Sequence, residues 1–590
     1  MRVSSFPPAA ASLSPAAPGQ SPGPALFLPF SADVFSLAAK RRVPVFLVIG
    51  DVGDVFSDPS VCAQLCERTV SAHLAPGERP DAELLCQRAS ALYSGEGALP
   101  LCALLLENGL PFLAAPLPPS GYPADPSRLL IWLTHADRRL SQNRSAMRAQ
   151  AAGVLRSFDA PPLTKPYSPR DAAHDLLRAA LAAQDTINGG FGRIKSPHAP
   201  LLSFLSREAA HGSKSAHTAL DHALHAMKTG ALYDPVDSLF FRATLTEDWC
   251  VFVPEKPLAV NAMLAKTMLK TGRRTDAIAL LDAIISRFSL SGGGFVPALR
   301  APKSRYTFSP DQVIKALGSE DGLRACRLLG LLHQHRKDDP PLAPSRFSPL
   351  PENRIRRPSL DDPVKPLCPV FLEDPVPEDA AFLRRALSTL SRLRGARTPE
   401  APSGPVLVMD SMLAASVFAD CGARLGETRY VQAARRTVHA ILNAFPNLSR
   451  PSALVPTVLS SAVPVQYTCG ATAALSLALL ALAGDDASST DAEYGLRLLG
   501  SALHTFVRED GMVMYTPPTL HSAFPRVPAI FDSELPSPAA LLVCALKKAQ
   551  RLRPDAPYGE AIETIWLAAA PYVRHEPMSC AGLIDAMTAQ

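Results

Sequence analysis

Hydrophobic positions change their spacing along the chain. Over the first 120 or so residues they form short apolar runs, and from about residue 168 they recur at helical spacing. Val43-Pro44-Val45-Phe46-Leu47-Val48-Ile49-Gly50 reads as a short buried strand, because β-branched and aromatic residues follow a basic helix end. Ala98-Leu99-Pro100-Leu101 leads into an apolar run to Leu106. The turn Glu107-Asn108-Gly109 and the segment Pro111-Phe112-Leu113 then predict a hairpin. A helix is expected over about 126–157. Amphipathic stretches follow near 171–184, 214–229, 257–272, 275–288, 310–317 and 322–334. A second series falls near 377–395, 409–424, 427–444, 468–483, 489–507, 537–552 and 557–573. Helices of this length in consecutive pairs can close a ring, with inner helices that are apolar on nearly every face, as ATAALSLALLALAG (471–484) is. The competing arrangement is an irregular α-solenoid, since no clean sequence repeat is visible.

Strand, helix, an X-Pro step into a further strand, and a hairpin together sketch a thioredoxin-like layer. A working thioredoxin carries Cys-x-x-Cys straight after the first of those strands, where a helix N-terminus lowers the thiol pKa. Asp51-Val52-Gly53-Asp54 stands there instead. The fold class expected is multidomain α/β plus all-α, a thioredoxin-like domain followed by a toroid of paired helices. The boundaries are a disordered N-terminus over 1–24, the thioredoxin-like domain with its following helix over 25–160, and the toroid over 168–590. A Pro-rich, charged excursion falls at about 335–376.

Composition narrows the functional classes. At 590 residues the chain is too long for one core. Its net charge of +5 is spread out, with no basic stripe of the kind nucleic acid requires. The densest basic run, Arg354-Ile355-Arg356-Arg357, reads as a solvated loop. The eleven cysteines are scattered, and Cys62 and Cys66 stand four apart, which suits a helix face but not a redox turn. That usage reads as reduced thiols in the cytoplasm. The Pro-, Ala- and Ser-rich N-terminus lacks the apolar core of a signal peptide, and the longest apolar stretch is too short to span a bilayer. No Cys or His pairs recur at metal-ligand spacing. Gly292-Gly293-Gly294 lacks the Lys-Ser/Thr of a phosphate loop. No cofactor and no metal are expected.

Several stretches resemble the spermatogenesis-associated protein 20-like family across nearly the whole chain. They are Phe56-Ser57-Asp58 with Glu78-Arg79-Pro80-Asp81, Asn188-Gly189-Gly190-Phe191-Gly192, Gly230-Ala231-Leu232-Tyr233-Asp234, Trp249 with Pro254-Glu255-Lys256, Gly292-Gly293-Gly294-Phe295, and Asp532 with Pro536-Ser537. The resemblance implies a thioredoxin-like domain ahead of an (α/α)6 toroid related to sugar epimerases and six-hairpin glycosidases. It also implies losses. The Cys-x-x-Cys-His element is missing, Phe241 and Val253 stand where the family has His, and Val260 stands where it has Asp. Polar elements of the family correspond to Arg300-Ala301-Pro302, Ser403-Gly404-Pro405, Asp410-Ser411, Val465-Gln466-Tyr467 and Pro536-Ser537-Pro538-Ala539-Ala540. The pattern looks like a decayed site on a maintained fold.

The chemistry that could remain is limited. Disulfide exchange would have to use Cys62, Cys66, Cys86 or Cys102. Glycoside hydrolysis needs two facing carboxylates, from Glu247, Asp248, Glu255, Asp410, Asp532 and Glu534. Glu255 is the best placed, since Lys256 could hold its charge; the plainer reading is a structural Glu-Lys pair at a helix start. Epimerisation would want an acid-base pair, yet His222, His225 and His504 sit on ordinary helical stretches. Candidates for lining a ligand cavity are Tyr233, Arg242, Trp249, Glu255 and Lys256. The expected function is a redox-inactive, non-catalytic protein that binds a protein partner or a small, sugar-like ligand, with no nucleic-acid or membrane partner. The alternative is a carbohydrate-active enzyme, of glycosidase or epimerase type, using Glu255, Asp410 and Asp532.

Overall fold

A computed structural model describes residues 26–118, 125–332, 377–449, 453–459, 466–518 and 525–589. The expectations for 1–24, for the excursion at 335–376 and for its Arg354–Arg357 run lie outside them. The N-terminal part is a sheet layer. Its elements are β1 (Leu28–Pro29), α1 (Ala32–Arg41), β2 (Val45–Ile49), α2 (Pro59–Arg68), β3 (Val70–Leu74), α3 (Pro80–Ser94), β4 (Leu101–Leu105) and β5 (Pro111–Pro116). The strand order is β1-β3-β2-β4-β5, with β1, β3 and β2 parallel and β4 and β5 antiparallel. β2 is buried at every position, as a central strand covered on both faces must be. Asp58 starts α2 by accepting from the amides of Ser60 and Val61 at 2.9 and 3.1 Å. The Leu99–Pro100 peptide bond is cis. The single helix expected over 126–157 is two, α4 (Pro126–Gln142) and α5 (Arg144–Arg156). Asn143 breaks them by leaving helical backbone and capping α5 through the Ala146 amide.

The helical part begins with α6 (Pro169–Ala183), closed at its start by a reciprocal Ser168–Asp171 capping box. It continues with α7 (Ala199–Ala210), α8 (Lys214–Thr229), the short strands β6 (Tyr233–Asp234), β7 (Leu239–Phe240) and β8 (Glu255–Pro257), α9 (Leu258–Lys270) and α10 (Arg274–Phe288). Next come β9 (Ala298–Arg300), α11 (Lys303–Tyr306), α12 (Pro310–Leu317), α13 (Ser319–Leu328), α14 (Pro377–Gly395) and β10 (Ala401–Pro402). The chain ends with α15 (Val408–Leu425), α16 (Thr428–Ala444), α17 (Cys469–Ala483), α18 (Thr490–Phe506), α19 (Pro538–Leu552), α20 (Tyr558–His575) and α21 (Ala581–Thr588).

Among the described residues six helices form a closed inner ring. Each of α7, α9, α15, α17, α19 and α21 packs on the next, and α21 returns to α7. The outer helices α8, α10, α16, α18 and α20 each cover the inner helix before them, and α6 covers α21. This is the (α/α)6 toroid, with two departures from its expected members. The inner helices α7 and α21 lie where no helix was read. They span 12 and 8 residues, and α7 carries Pro200 in its first turn. The stretches at 310–317, 322–334 and 377–395 are not ring members; α12, α13 and α14 make a satellite with its own small core around Phe308, Leu329 and Phe382.

The layer sits against one end of the ring. Arg88 pairs with Glu576 at 2.6 Å while its guanidinium lies 5.3 and 5.2 Å from the rings of Phe158 and Phe531. Gly77, at φ 79°, approaches so closely that a Cβ there would stand 2.6 Å from Leu407 Cδ1. No helix among the described residues is long and apolar enough to cross a membrane.

Candidate functional site

Hairpin geometry gathers the candidate acids. Links within each hairpin are short, at 211–213, 271–273, 426–427, 484–489 and 553–557, whereas the links into the next inner helix are long. All inner helices therefore run the same way, and their N-termini share one rim. Glu255 lies just before α9, Asp410 is in the first turn of α15, and Asp532 and Glu534 precede α19. The three acids of the alternative reading thus come from different parts of the chain to the same rim, which is also the end the sheet layer covers.

Glu255 and Lys256 are neighbours on β8, so their side chains leave opposite faces. The expected Glu-Lys pair does not form. Arg242 Nε and Nη2 donate to Glu255 Oε1 at 3.1 and 2.6 Å, and Arg300 Nε and Nη2 donate to Oε2, the first at 3.1 Å. Burial pushes the Glu255 carboxyl up, but Arg242 and Arg300 outweigh it and hold it at about 2. Arg300 Nη1 continues to Asp51 at 2.5 Å, and Arg242 Nη1 to Glu534. Asp51, just after β2, is thus a carboxylate that ties the layer to the rim.

Two further carboxyls stand beside this chain. Burial pushes Asp410 up to about 7; Arg242 works against the shift and Glu534 and Glu83 add to it. Glu83, on α3 of the layer, is likewise pushed to about 7 by burial, with the Gly77 amide (2.7 Å to Oε2) opposing and Glu534 adding. Both remain partly exposed. Sequence reading missed Glu83; the signal available was its position just inside the Pro80-started helix that follows Glu78-Arg79-Pro80-Asp81. It also missed Arg300.

The remaining candidates are placed otherwise. Asp532 accepts from the Ser537 amide at 2.8 Å and the Gly582 amide at 2.6 Å, clamping α19 to α21. Lys256 is fully buried in a closed cluster with Asp234 (2.7 Å), Asp237 (2.6 Å) and Glu400 (3.0 Å), beside Arg394 and Arg287. Trp249 is 3 % exposed and packs on Gly190 and Gly230 while its Nε1 donates to Asn188 O at 2.8 Å, so it holds turns together instead of walling a cavity. Tyr233 lies across β6 and β7 from Phe240, ring centroids 4.9 Å apart. Glu247 pairs with Arg193, and Asp248 accepts from the Cys250 amide. Of the five cavity candidates, only Arg242 and Glu255 meet at the rim.

Other chemistry finds little footing. Burial pushes the Cys62 thiol up, with Cys66 and Asp58 adding, and raises Cys102 to about 12. Among the described residues no group of three or more His, Cys, Asp or Glu is arranged to hold a metal. His198, at the start of α7 on the same rim, adopts φ 46°; its Nε2 is buried without a hydrogen-bond partner among the described residues.

The chain matches no family model and no curated protein. Solved structures to which it is similar include cellobiose 2-epimerase from Spirochaeta thermophila DSM 6192, 15 % identical over 70 % of this chain and 87 % of that one at TM-score 0.42. Cellobiose 2-epimerase from Bacillus thermoamylovorans B4167 is 10 % identical over 69 % of this chain and 86 % of that one at TM-score 0.40. A D-mannose isomerase is 9 % identical over 69 % of this chain and 88 % of that one at TM-score 0.42.

Proposed function

We propose that this is a carbohydrate-active enzyme working by proton transfer at the ring mouth, with Asp410 and Glu83 as its acid-base groups. One observation carries the reading: a half-buried carboxyl from the ring and one from the layer lie within electrostatic reach of each other and of one fixed guanidinium, and burial pushes both up to about 7. A group is most effective in proton transfer when its pKa lies near the working pH. Arg242 would orient a hydroxyl or carbonyl oxygen, and Glu255, charged and doubly bonded, is a positioning residue that fixes Arg242. The sugar class comes from the family resemblance of the toroid, the acid-base roles from the rim.

The layer, taken as a thioredoxin-like domain over about 25–160 ahead of a toroid over 168–590, is redox-inactive in this proposal. The strand order β1-β3-β2-β4-β5 supports the fold, and Asp51 at the redox-turn position supports the inactivity. The free cysteines are in keeping with a cytoplasmic setting.

The test uses full-length protein with a panel of mono- and disaccharides in D2O, read by NMR for hydrolysis, epimerisation and solvent-deuterium incorporation. Turnover is expected, with Asp410→Asn and Glu83→Gln each lowering kcat about 100-fold or more. Absence of turnover across the panel, or variants as active as the parent, overturns the proposal. Insulin reduction with a thiol donor should show no cysteine-dependent rate.

A further inference from the structure

We propose that the turn of the sheet layer from Ala75 to Glu83 is a proton-controlled gate over the ring mouth, closed when Glu83 and Asp410 hold protons and loosened when they lose them. The junction has an uneven charge balance. Asp51 and Glu83 come from the layer, and Glu255, Asp410 and Glu534 from the ring; the cations among them are Arg242 and Arg300. Arg300 bridges Glu255 to Asp51, and Arg242 bridges Glu255 to Glu534, so each guanidinium already spans two carboxylates other than Glu83 and Asp410. Among the described residues neither Glu83 nor Asp410 makes an ion pair. Glu83 faces Cys86, Arg242, Asp410, Tyr515 and Glu534, with Asp81 two residues before it on the same helix, while Asp410 faces Glu83, Arg242 and Glu534. Asp81 is itself held by Arg79 at 2.9 and 2.7 Å. Ionised together at this half-buried junction, the two carboxylates would repel each other and Glu534; carrying protons, they are tolerated.

The contact they guard is a narrow one. Gly77 rests on Leu407, at the start of the helix that carries Asp410, and Ala75 lies near Gly404. Lifting the turn would hydrate both carboxyls and open the rim without dissolving the larger core shared by layer and ring. The sign follows from linkage. The closed form binds protons up to about pH 7, whereas the open form, with solvated carboxyls, releases them near pH 4. Opening therefore rises with pH between those values, by about tenfold per pH unit for each group, and levels off above 7. The gate does not require the catalytic reading, since it is read without substrate.

The experiment is amide hydrogen exchange on the full chain between pH 5 and 8.5, with rates corrected for intrinsic exchange. Protection of residues 75–85 and 404–412 is expected to fall at least tenfold from pH 5.5 to 7.5 and then to level off, while the central strand 45–49 keeps its protection. Glu83→Gln and Asp410→Asn, singly and together, should flatten the dependence and leave the turn closed at high pH. Glu534→Gln, which removes a charge facing both carboxyls, should move the transition to lower pH. Protection independent of pH in the parent, or the same transition in the double variant, overturns the gate. If the double variant does not fold, an unmoved transition in Glu534→Gln overturns it equally.

Discussion

Lys256→Met tests how the ring tolerates its buried charges. Lys256 Nζ is fully buried and reaches Asp234 at 2.7 Å, Asp237 at 2.6 Å and Glu400 at 3.0 Å, with the Tyr306 ring 4.7 Å away. Arg394 and Arg287 complete the cluster, so that Lys256, Arg287 and Arg394 balance Asp234, Asp237 and Glu400. Methionine keeps the length and apolar stem of lysine but removes the charge, leaving a carboxylate without compensation. Removing one partner from a buried ion group costs about 3–5 kcal/mol, because the remaining charge stays desolvated. A helical part of roughly 420 residues has an unfolding entropy of about 0.9 kcal/mol/K, so the variant should melt roughly 4–5 °C lower. Burial opposes ionisation of Glu400, yet Lys256 and Arg287 hold its carboxyl at about 2. A depressed carboxyl contributes stability above its unfolded pKa and loses it as pH falls through the folded value. The deficit of the variant should therefore be largest above about pH 5 and narrow towards pH 2. Adding Glu400→Gln restores the count and should recover part of the loss. Calorimetry of the full chain decides: a shift within 1 °C, or a deficit that neither acid nor Glu400→Gln reduces, refutes the reasoning.

Gly190→Ala should destabilise the ring by more than about 2 kcal/mol, since a Cβ at φ 70° would stand 2.5 Å from Trp249 Cζ2. Gly272→Ala, at φ 82° with open space around it, should cost only the left-handed term of about 1–2 kcal/mol; equal effects in calorimetry would remove the Trp249 explanation. Asp532→Asn should weaken the α19–α21 clamp by about 1–3 kcal/mol, because an amide can accept with only one of its two polar atoms while Ser537 and Gly582 both donate. Exchange protection at Gly582 should fall first; an unchanged value contradicts the clamp.

Much of the element order is local information. β2 is buried at every position and its sequence is apolar throughout, and α17 is apolar on all faces because it lines the ring wall. The caps are local too, since the Asp58 and Ser168 side chains accept from amides in the first turn of their own helices. Glu255, Asp410 and Asp532 were also legible as acids near helix starts, and the hairpin alternation brings them to one rim. Their roles were not legible. Glu255 and Lys256 read as a pair, yet strand alternation sends them to separate ion groups, and Asp532 is occupied by backbone amides.

What the chain by itself determined is most of the long helices, the strands β2, β4 and β5, an Asp-Val-Gly-Asp run without a thiol after β2, and the apolar inner wall, since periodicity acts over a few residues. Tertiary structure alone decided that the ring closes through the short α7 and α21, that α12 to α14 stand outside it, and that Glu83 of the layer comes within electrostatic reach of Asp410. Those outcomes depend on groups far apart in sequence, as Arg88 and Glu576 are at 488 residues. Burial and charge balance select such partners only once the chain has folded, and no local pattern records them.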